Sequence, residues 1–249
     1  MSLAFPRLVG HRGLAAHAPE NTLAGFRAAH DAGIKAVEFD AKLTGDGVPI
    51  LMHDDTLDRT TDGQGNVREF ALEELGHRDA GGWFGPAFAG EVIPTLAEAL
   101  DLCGDLDLQV NIEIKPCPGR AKETAAEVLR VAEDMWQDAW PTPLISSFEP
   151  DCLIVAREQT PQWPRGYLIH DMPGDWNAQM AAIDPATLNL GDARWSSADW
   201  AKYRDTGLPI LVYTVNDPDR ARQLIDLGVT SVISDDPALL APALGIDLK

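Results

Sequence analysis

Short apolar runs alternate with helical patterns along nearly the whole chain. Strands that alternate with helices are typical of a parallel sheet covered by helices. Runs rich in Val, Ile and Leu predict strands at 7–10, 36–43, 48–52, 108–114, 143–147, 166–169, 187–190, 209–215 and 231–234. The clearest helical patterns lie at 21–32, 96–102, 120–136, 150–159 and 218–227. Gly228 follows the last of these helices, where glycine commonly ends a helix.

One connection decides how the predicted strands are counted. Thr44-Gly45-Asp46-Gly47 joins 36–43 to 48–52, and so short a link permits a hairpin but no parallel crossover. The third run therefore extends the second strand antiparallel to it, which leaves eight βα units, the number that closes a TIM barrel. The predicted fold class is α/β, a TIM (β/α)8 barrel with a β-hairpin extension of the second strand. An open doubly wound sheet stays the alternative, because a strand count does not show closure.

Residues 55–92 interrupt this alternation with loop-rich, weakly periodic sequence. A long irregular insert in a compact domain is usually functional. We predict one domain over 1–249, with a small cap subdomain inserted at about 55–92. Its aromatic residues Trp83, Phe84 and Phe88 are interpreted as local packing.

Charge limits the classes of partner. The chain of 249 residues carries 39 acidic and 20 basic side chains, a net charge of −19. Nucleic acids and anionic membranes would be repelled by such a protein. We therefore expect no nucleic-acid partner and no stable membrane association. A negatively charged substrate would need a local positive site or a metal cation.

Cysteine usage and the first residues point to a cytoplasmic protein. The cysteines Cys103, Cys117 and Cys152 are an odd number without CxxC spacing, which predicts neither a disulfide framework nor a zinc site. The opening MSLAFPRLVGHRG lacks a basic segment followed by a long apolar run, so no signal peptide is predicted. The oligomeric state is not predicted.

Acidic residues stand where parallel strands are normally apolar. Glu38 and Asp40 are two positions apart on the second strand, and Glu113 lies on the strand that follows the insert. Carboxylates brought together in a buried site resist shared ionisation unless a cation compensates them. Carboxylate oxygens favour Mg²⁺, Ca²⁺ or Mn²⁺, so these residues predict a site for one divalent cation. The alternative is that Glu38 pairs with Lys115 or Arg12 and no metal binds.

Two histidines follow strands directly at the same predicted mouth. His11 ends the first strand and His53 ends the hairpin. Because imidazole titrates near neutral pH, these two are candidates for general acid and general base. The remaining histidines are interpreted as hydrogen-bonded or surface rings: His17, His30, His77 and His170.

Two cations accompany these groups. Arg12 could hold a phosphate with its planar fork and Lys115 could act as a point charge. A base, an acid, a metal and two cations suit phosphoryl chemistry, in which charge accumulates on non-bridging oxygens.

The motifs in sequence order resemble the glycerophosphodiester phosphodiesterase family. They are GHRG, PENT, EFDAKLTGDGVPILMHD, TLDRTTDGQG, AGGWF, IPTL, NIEIK, SSF and YTVN, and they cover nearly the whole chain. Single motifs such as HRG would mean little, but the ordered set is highly specific.

This resemblance implies a TIM barrel with an inserted subdomain and a metal-dependent hydrolysis of glycerophosphodiesters to an alcohol and sn-glycerol 3-phosphate. It implies a small-molecule substrate and one divalent cation, Mg²⁺ or Ca²⁺, with Mn²⁺ as a further candidate. By motif position the metal ligands would be Glu38, Asp40 and Glu113, the acid and base His11 and His53, and the phosphate-binding residues Arg12 and Lys115. Phe148 would line the glycerol pocket.

In the reaction that the family implies, a glycerol hydroxyl activated by the metal and one histidine attacks phosphorus. The other histidine protonates the leaving alcohol, and water then opens the cyclic intermediate as the two rings exchange roles. The order in which the two rings act is not predicted, nor is the alcohol head group.

Two positions depart from the family pattern. Tyr213 replaces the tryptophan of WTVN, so packing near the bound alcohol or glycerol would differ there. The late threonine-aspartate motif reads Ser234-Asp235-Asp236-Pro237, which we interpret as a turn that caps the last helix. Asn21 and Thr22 are likewise interpreted as helix-capping residues. Glu20 is a candidate to support the site from behind.

Two other functions stay open. A phosphodiesterase of the same barrel type could act on lysophospholipids, although the acidic charge and the lack of a basic amphipathic helix disfavour it. A non-catalytic barrel could bind phosphodiesters as a sensor. Both His11 and His53 beside three candidate ligands argue against that reading.

Overall fold

The computed structural model describes residues 5–192 and 195–248. Its strands form one sheet, in which every neighbouring pair of the barrel is parallel. The strands are β1 (Leu8–His11), β2 (Ala36–Leu43), β3 (Pro49–Leu51), β4 (Gln109–Ile114), β5 (Leu144–Ser147), β6 (Arg165–Ile169), β7 (Thr187–Gly191), β8 (Ile210–Tyr213) and β9 (Ser231–Ser234). Each lies within a residue or two of a predicted strand.

The sheet closes into a barrel through β1. Gly10 pairs with Val37 of β2 on one side and with Ser234 of β9 on the other. The strand β3 runs antiparallel to the end of β2, with Leu51 opposite Ala41. The predicted TIM barrel with a hairpin extension is therefore confirmed, and the open sheet is excluded.

Helices cover the outside of the barrel. They are α1 (Leu23–Asp31), α2 (Leu72–Leu75), α3 (Leu96–Asp105), α4 (Ala121–Met135), α5 (Pro150–Gln159), α6 (Trp176–Ile183), α7 (Ser197–Asp205), α8 (Pro218–Asp226) and α9 (Pro237–Leu240). The predicted helices correspond to α1, α3, α4, α5 and α8. The helices α6 and α7 have no counterpart among the predicted bounds. Both are short, and among their described residues they bury only Ile183 and Tyr203.

Alternation along each strand separates a helix-facing side from an inward-facing side. Outward residues of β2 and β4, such as Phe39 and Ile112, pack in the main core against the helices. Inward residues near the N-terminal ends of the strands fill the barrel floor: Val9, Ala36, Leu144, Leu211 and Ile233. The inward positions further along β1, β2 and β4 are polar: His11, Glu38, Asp40, Asn111 and Glu113. The barrel therefore has an apolar floor and a charged mouth.

Residues 55–92 form an irregular segment between β3 and α3, with α2 and two short 3-10 turns. The segment has a small core of its own against the hairpin: Ile50, Met52, Leu57, Val67, Leu75, Ala80 and Ile93. Phe84 packs edge-on against both Trp83 and Phe88, in line with the interpretation of local packing. Within the described parts of the chain, no helix has the length and apolar character to cross a membrane.

Candidate active site

The carboxyl ends of the parallel strands bring the predicted acidic residues together. Asp40 of β2 lies opposite Glu113 of β4 in the sheet, and His11 of β1 lies opposite Glu38. Glu38, Asp40 and Glu113 are buried, and each offers an oxygen within 4.8 Å of the others. Three carboxylates from two neighbouring strands therefore share one pocket at the mouth.

Crowding and burial disturb the ionisation of this carboxylate triad, which comprises Glu38, Asp40 and Glu113. Burial, with the charges of the other two carboxylates, raises the pKa of Glu38 well above its ordinary value. Burial followed by the charge of Asp40 raises the pKa of Glu113 to about 7. Burial would also raise the pKa of Asp40, but Arg12 and Lys115 outweigh it and lower that pKa to about 2. The triad lacks sufficient positive charge to keep all three groups ionised at neutral pH.

Two protein cations reach the triad from different sides. Arg12 Nε lies 3.2 Å from Asp40 Oδ2. Lys115 Nζ lies 2.9 Å from Glu113 Oε1 and 3.6 Å from Asp40 Oδ1. The metal-free alternative required an ion pair between Glu38 and Lys115 or Arg12. Among the residues that the structure describes, neither ion pair is present. Glu38 instead accepts the backbone N–H of Arg12 at 3.2 Å.

The donor set fits a hard divalent cation. Three buried carboxylates offer oxygen ligands, the type that Mg²⁺, Ca²⁺ and Mn²⁺ prefer. The raised pKa values of Glu38 and Glu113 show that a further positive charge would be stabilising at this point. The residues present therefore fit a metal site.

His11 is held at one ring nitrogen by a distant acid. Its Nδ1 lies 2.6 Å from Asp235 Oδ1, and its Nε2 lies 4.0 Å from Glu38 Oε2. Burial would raise the pKa of Asp235, but the hydrogen bond with His11 outweighs it, and this pKa is lowered. An ionised carboxylate only accepts hydrogen bonds. His11 Nδ1–H is thus the donor, and Nε2 is left free toward the triad.

Asn216 fixes the orientation of this acid. Its Nδ2 donates to Asp235 Oδ2 at 2.6 Å, and its Oδ1 accepts from the Asp235 backbone N–H and from Ser234 Oγ. Sequence reasoning missed this role of Asp235. The neighbouring Asp236 does cap α9, as the turn motif predicted, by accepting the Leu239 N–H.

His53 has a corresponding arrangement at the other side of the mouth. Its Nδ1 lies 2.7 Å from Asp54 Oδ1, and Asp54 in turn accepts two hydrogen bonds from Arg59. The Arg59 hydrogen bonds lower the pKa of Asp54 well below its usual range. Burial, together with nearby positive charge, lowers the pKa of His53. A neutral ring that donates from Nδ1 keeps an unprotonated Nε2.

The loop after β1 supplies a second layer of contacts. Asn21 Nδ2 donates to Asp40 Oδ2 at 2.9 Å, and Asn21 Oδ1 accepts the Asp40 N–H at 3.1 Å. Asn21 therefore braces Asp40, and the prediction that it only caps a helix is wrong. Thr22 is the cap of α1, since its hydroxyl accepts the Gly25 N–H. Glu20 accepts from Arg12 Nη1 at 2.7 Å, the supporting position proposed for it.

Aromatic side chains form one wall of the mouth. The Phe148 ring stacks on His170 at 4.7 Å and meets Tyr213 edge-on at 5.8 Å. Lys115 Nζ lies 5.2 Å from the Phe148 ring centre. A cavity of about 290 Å³ lies between this wall and His53, and Glu113 and Lys115 line it. Phe148 and Tyr213 thus lie near the triad, while Tyr213 borders a separate open groove with His170.

Two of the other histidines have the local contacts expected of surface rings. His17 pairs with Asp236 at 2.9 Å, and His30 lies 3.3 Å from Asp31. His170 differs, because its exposed ring is part of the aromatic wall and lies 3.4 Å from the Tyr213 hydroxyl. Its position directly after β6 was the signal that could have placed it at the mouth.

Comparison with known proteins gives the same family along most of the chain. The glycerophosphoryl diester phosphodiesterase family matches residues 11–239. A glycerophosphodiester phosphodiesterase of Caldanaerobacter subterraneus subsp. tengcongensis is 33% identical, over 94% of this chain and 95% of its own length.

Solved structures agree with this match. An Oleispira antarctica phosphodiesterase in complex with the product sn-glycerol-3-phosphate has a TM-score of 0.91 and 36% identity, over 96% of this chain and 97% of its own. A glycerophosphodiester phosphodiesterase from Agrobacterium tumefaciens has a TM-score of 0.76 and 29% identity, over 96% of this chain and 100% of its own.

Proposed function

This chain belongs to the glycerophosphoryl diester phosphodiesterase family and is a phosphoric diester hydrolase; we propose that it hydrolyses glycerophosphodiesters to an alcohol and sn-glycerol 3-phosphate with a divalent cation and two catalytic histidines. The observation that carries the proposal is the placement of His11 and His53 around one buried carboxylate triad. Each ring is held at Nδ1 by its own acid, Asp235 or Asp54.

Glu38, Asp40 and Glu113 would hold the cation. When bound, Mg²⁺ or Ca²⁺, or Mn²⁺ as a further candidate, supplies Lewis-acid stabilisation of developing negative charge. Within the chain, Asn21 fixes the oxygen of Asp40 and its backbone N–H. Lys115 Nζ contacts two members of the triad and carries its charge to the cavity beside them.

His11 and His53 would move the protons. A ring that donates from Nδ1 to an ionised carboxylate presents Nε2 as a base, and the same nitrogen returns the proton as an acid. One ring, neutral at the start, would take the proton of the glycerol hydroxyl that attacks phosphorus, while the other, which enters with both ring nitrogens protonated, gives its Nε2 proton to the leaving alcohol. The two rings then exchange roles as water opens the cyclic phosphodiester.

Arg12 and Lys115 would neutralise the phosphate. Ion pairs to Asp40 and Glu20 hold the Arg12 guanidinium, so its fork is oriented before substrate arrives. Phe148 and Tyr213 would contact the glycerol or the alcohol along the aromatic wall. Residues 55–92 would act as the cap of a single-domain enzyme over 1–249.

The substrate in this proposal is a small diester in solution. A protein with a net charge of −19 is not expected to accumulate at anionic membranes. A lysophospholipid diester is the competing substrate, and a phosphodiester-binding protein without turnover is the competing function. The cytoplasmic location stays a prediction.

Release of sn-glycerol 3-phosphate tests the proposal. Glycerophosphocholine and glycerophosphoethanolamine are each incubated with Mg²⁺, Ca²⁺ or Mn²⁺, then again after chelation, with His11→Ala as control. We expect release that requires both the metal and His11. Choline release from lysophosphatidylcholine, with lysophosphatidate as the other product, and none from glycerophosphocholine would replace the substrate. Metal-independent binding without release would overturn the enzymatic proposal.

A further inference from the structure

Arg59 lies at the junction of two charged groups behind the candidate active site. Its Nε and Nη2 donate to the carboxylate of Asp54 at 2.7 and 3.0 Å. Its Nη1 and Nη2 donate to the carboxylate of Glu20 at 2.7 and 2.8 Å. One guanidinium thus holds two carboxylates in two-point contacts. Such forked pairs fix orientation as well as charge.

Each of these carboxylates in turn holds a residue of the proposed machinery. Asp54 accepts from His53 Nδ1 at 2.7 Å. Glu20 accepts from Arg12 Nη1 at 2.7 Å. An unbroken series of charge-assisted hydrogen bonds therefore runs from His53 through Arg59 to Arg12. The two ends of this series are a proton-transfer ring and a phosphate-binding fork.

Arg59 also keeps both carboxylates in the ionised form that accepts these bonds. Its hydrogen bonds are the largest cause that lowers the pKa of Asp54. Burial would raise the pKa of Glu20, but hydrogen bonding to Arg59 and the charge of Arg12 outweigh it and lower this pKa. Without Arg59, two acids would face a site that already contains the carboxylate triad.

We propose that Arg59 is a positioning residue that orients His53 through Asp54 and Arg12 through Glu20. The inference rests on the proposed function, because it concerns residues assigned to that reaction. Arg59 belongs to the segment 55–92, so this contact ties the segment to the chemistry at the barrel mouth.

Arg59 acts through polar contacts and not through apolar packing. Its side chain is 45% exposed, and it is not a member of the apolar core of its own segment. Lysine would supply the charge but not the two forks, because an ammonium is a compact point charge. Arg59→Lys therefore separates an effect of the forked contacts from an effect of the positive charge alone.

Steady-state kinetics of sn-glycerol 3-phosphate release test the proposal. The variants are Arg59→Gln, Arg59→Lys and, as a matched control, Arg68→Gln, an exposed arginine of the same segment. Loss of an outer contact of this kind typically costs 10- to 100-fold, so we expect Arg59→Gln to lower kcat by about that factor and to raise KM. Arg59→Lys should rescue little, and Arg68→Gln should match the wild type.

Double-mutant cycles separate the effect of Arg59 on His53 from its effect on Arg12. In an Asp54→Asn background, Arg59→Gln should no longer lower kcat, because the link to His53 is already broken. In a Glu20→Gln background, it should no longer raise KM. Wild-type kinetics in Arg59→Gln, or the same loss in every background together with a lower Tm, would overturn the proposal.

A second readout keeps this inference distinct from the proposed function. Imidazole ¹⁵N shifts report which nitrogen of His53 carries the proton, without any turnover. We expect one tautomer, with the proton on Nδ1, in the wild type and a mixture in Arg59→Gln. If the wild type releases no product, the proposed function fails. Whether or not product is released, an unchanged His53 tautomer in Arg59→Gln would overturn the positioning role.

Discussion

Asp235 Oδ1 lies 2.6 Å from His11 Nδ1, although 224 residues separate the two along the chain. The contact exists because β1 and β9 are neighbours in the closed barrel, so that the residues following both strands face the same mouth. It gives His11 a defined tautomer and directs Nε2 toward Glu38.

Asp235→Asn should lower kcat by about 10- to 100-fold with little change in KM. Asn216 offers its amide N–H to this position, so the new side chain would turn its oxygen to Asn216 and its NH2 to His11. His11 would then carry its proton on Nε2, the wrong nitrogen for a base. Steady-state kinetics check this, with Asp236→Asn as the neighbouring control. Equal activity in both variants would contradict the assignment.

His11→Ala and His53→Ala should each lower kcat by roughly 10²- to 10⁴-fold, the usual contribution of a general acid or base. His30→Ala is the control, because this exposed ring lies away from the mouth on α1 and is hydrogen-bonded to its neighbour Asp31. Product release at saturating substrate measures the effect. Near wild-type turnover in both variants would end the assignment of the pair.

The triad predicts that metal binding strengthens as pH rises. Glu113 has a pKa of about 7 in the metal-free protein, against an ordinary value of 4.5. Its proton and that of Glu38, whose pKa is also raised, must leave before a cation binds, so affinity should rise about tenfold or more between pH 6 and pH 8. Calorimetry in two buffers of different ionisation enthalpy measures both the affinity and the protons released. An affinity that is flat across this range would contradict the prediction.

The raised pKa of Glu113 has the opposite effect on the stability of the metal-free protein. Because the folded pKa of Glu113 lies above its unfolded value, the folded state binds more protons between about pH 4.5 and 7. The contribution of Glu113 to the free energy of unfolding is then fully present below this window and is lost as pH rises through it. We therefore expect the Tm of the chelated protein to be lower at pH 8 than at pH 5. Added Mg²⁺ should restore more of the Tm at pH 8.

Asn21→Ala should weaken metal binding by about 10- to 100-fold, because Asp40 loses the side chain that orients it. Asn21 has a positive φ of 56°, so alanine also introduces backbone strain. Asn21→Gly removes the two hydrogen bonds without that strain. If the side-chain bonds are responsible, both variants lose affinity alike. Normal affinity in Asn21→Gly would assign the effect to the backbone.

The barrel could be predicted because strands and short links leave strong local signals. Alternation placed Glu38 and Asp40 on one side of β2, and the length of the link at 44–47 required a hairpin. The helices α6 and α7 left weaker signals, since each buries a single described residue. A cap signal was nevertheless present at Ser196, whose hydroxyl accepts the Asp199 N–H.

The site residues that could be predicted are those on the strands or directly after them. Periodicity places Glu113 and Lys115 on the same side, but it does not say which loop side chains turn toward them. Asp235, Asn21 and Arg59 lie in loops, where their contacts depend on backbone turns and on charges from distant segments. Capping was the local interpretation for Asn21, and it was wrong because Asp40 competes for the same amide.

The pairing of β1 with β9 also makes the orientation of His11 depend on closure of the barrel. Asp235 lies 224 positions after His11, so it leaves the ribosome long after His11 does. Closing a contact over such a sequence distance costs more loop entropy than closing a local one, so we expect it to form late in folding. A chain in which β1 and β9 have not yet paired would therefore carry His11 without the acid that orients it, and we expect its hydrolytic activity to be well below that of the closed barrel.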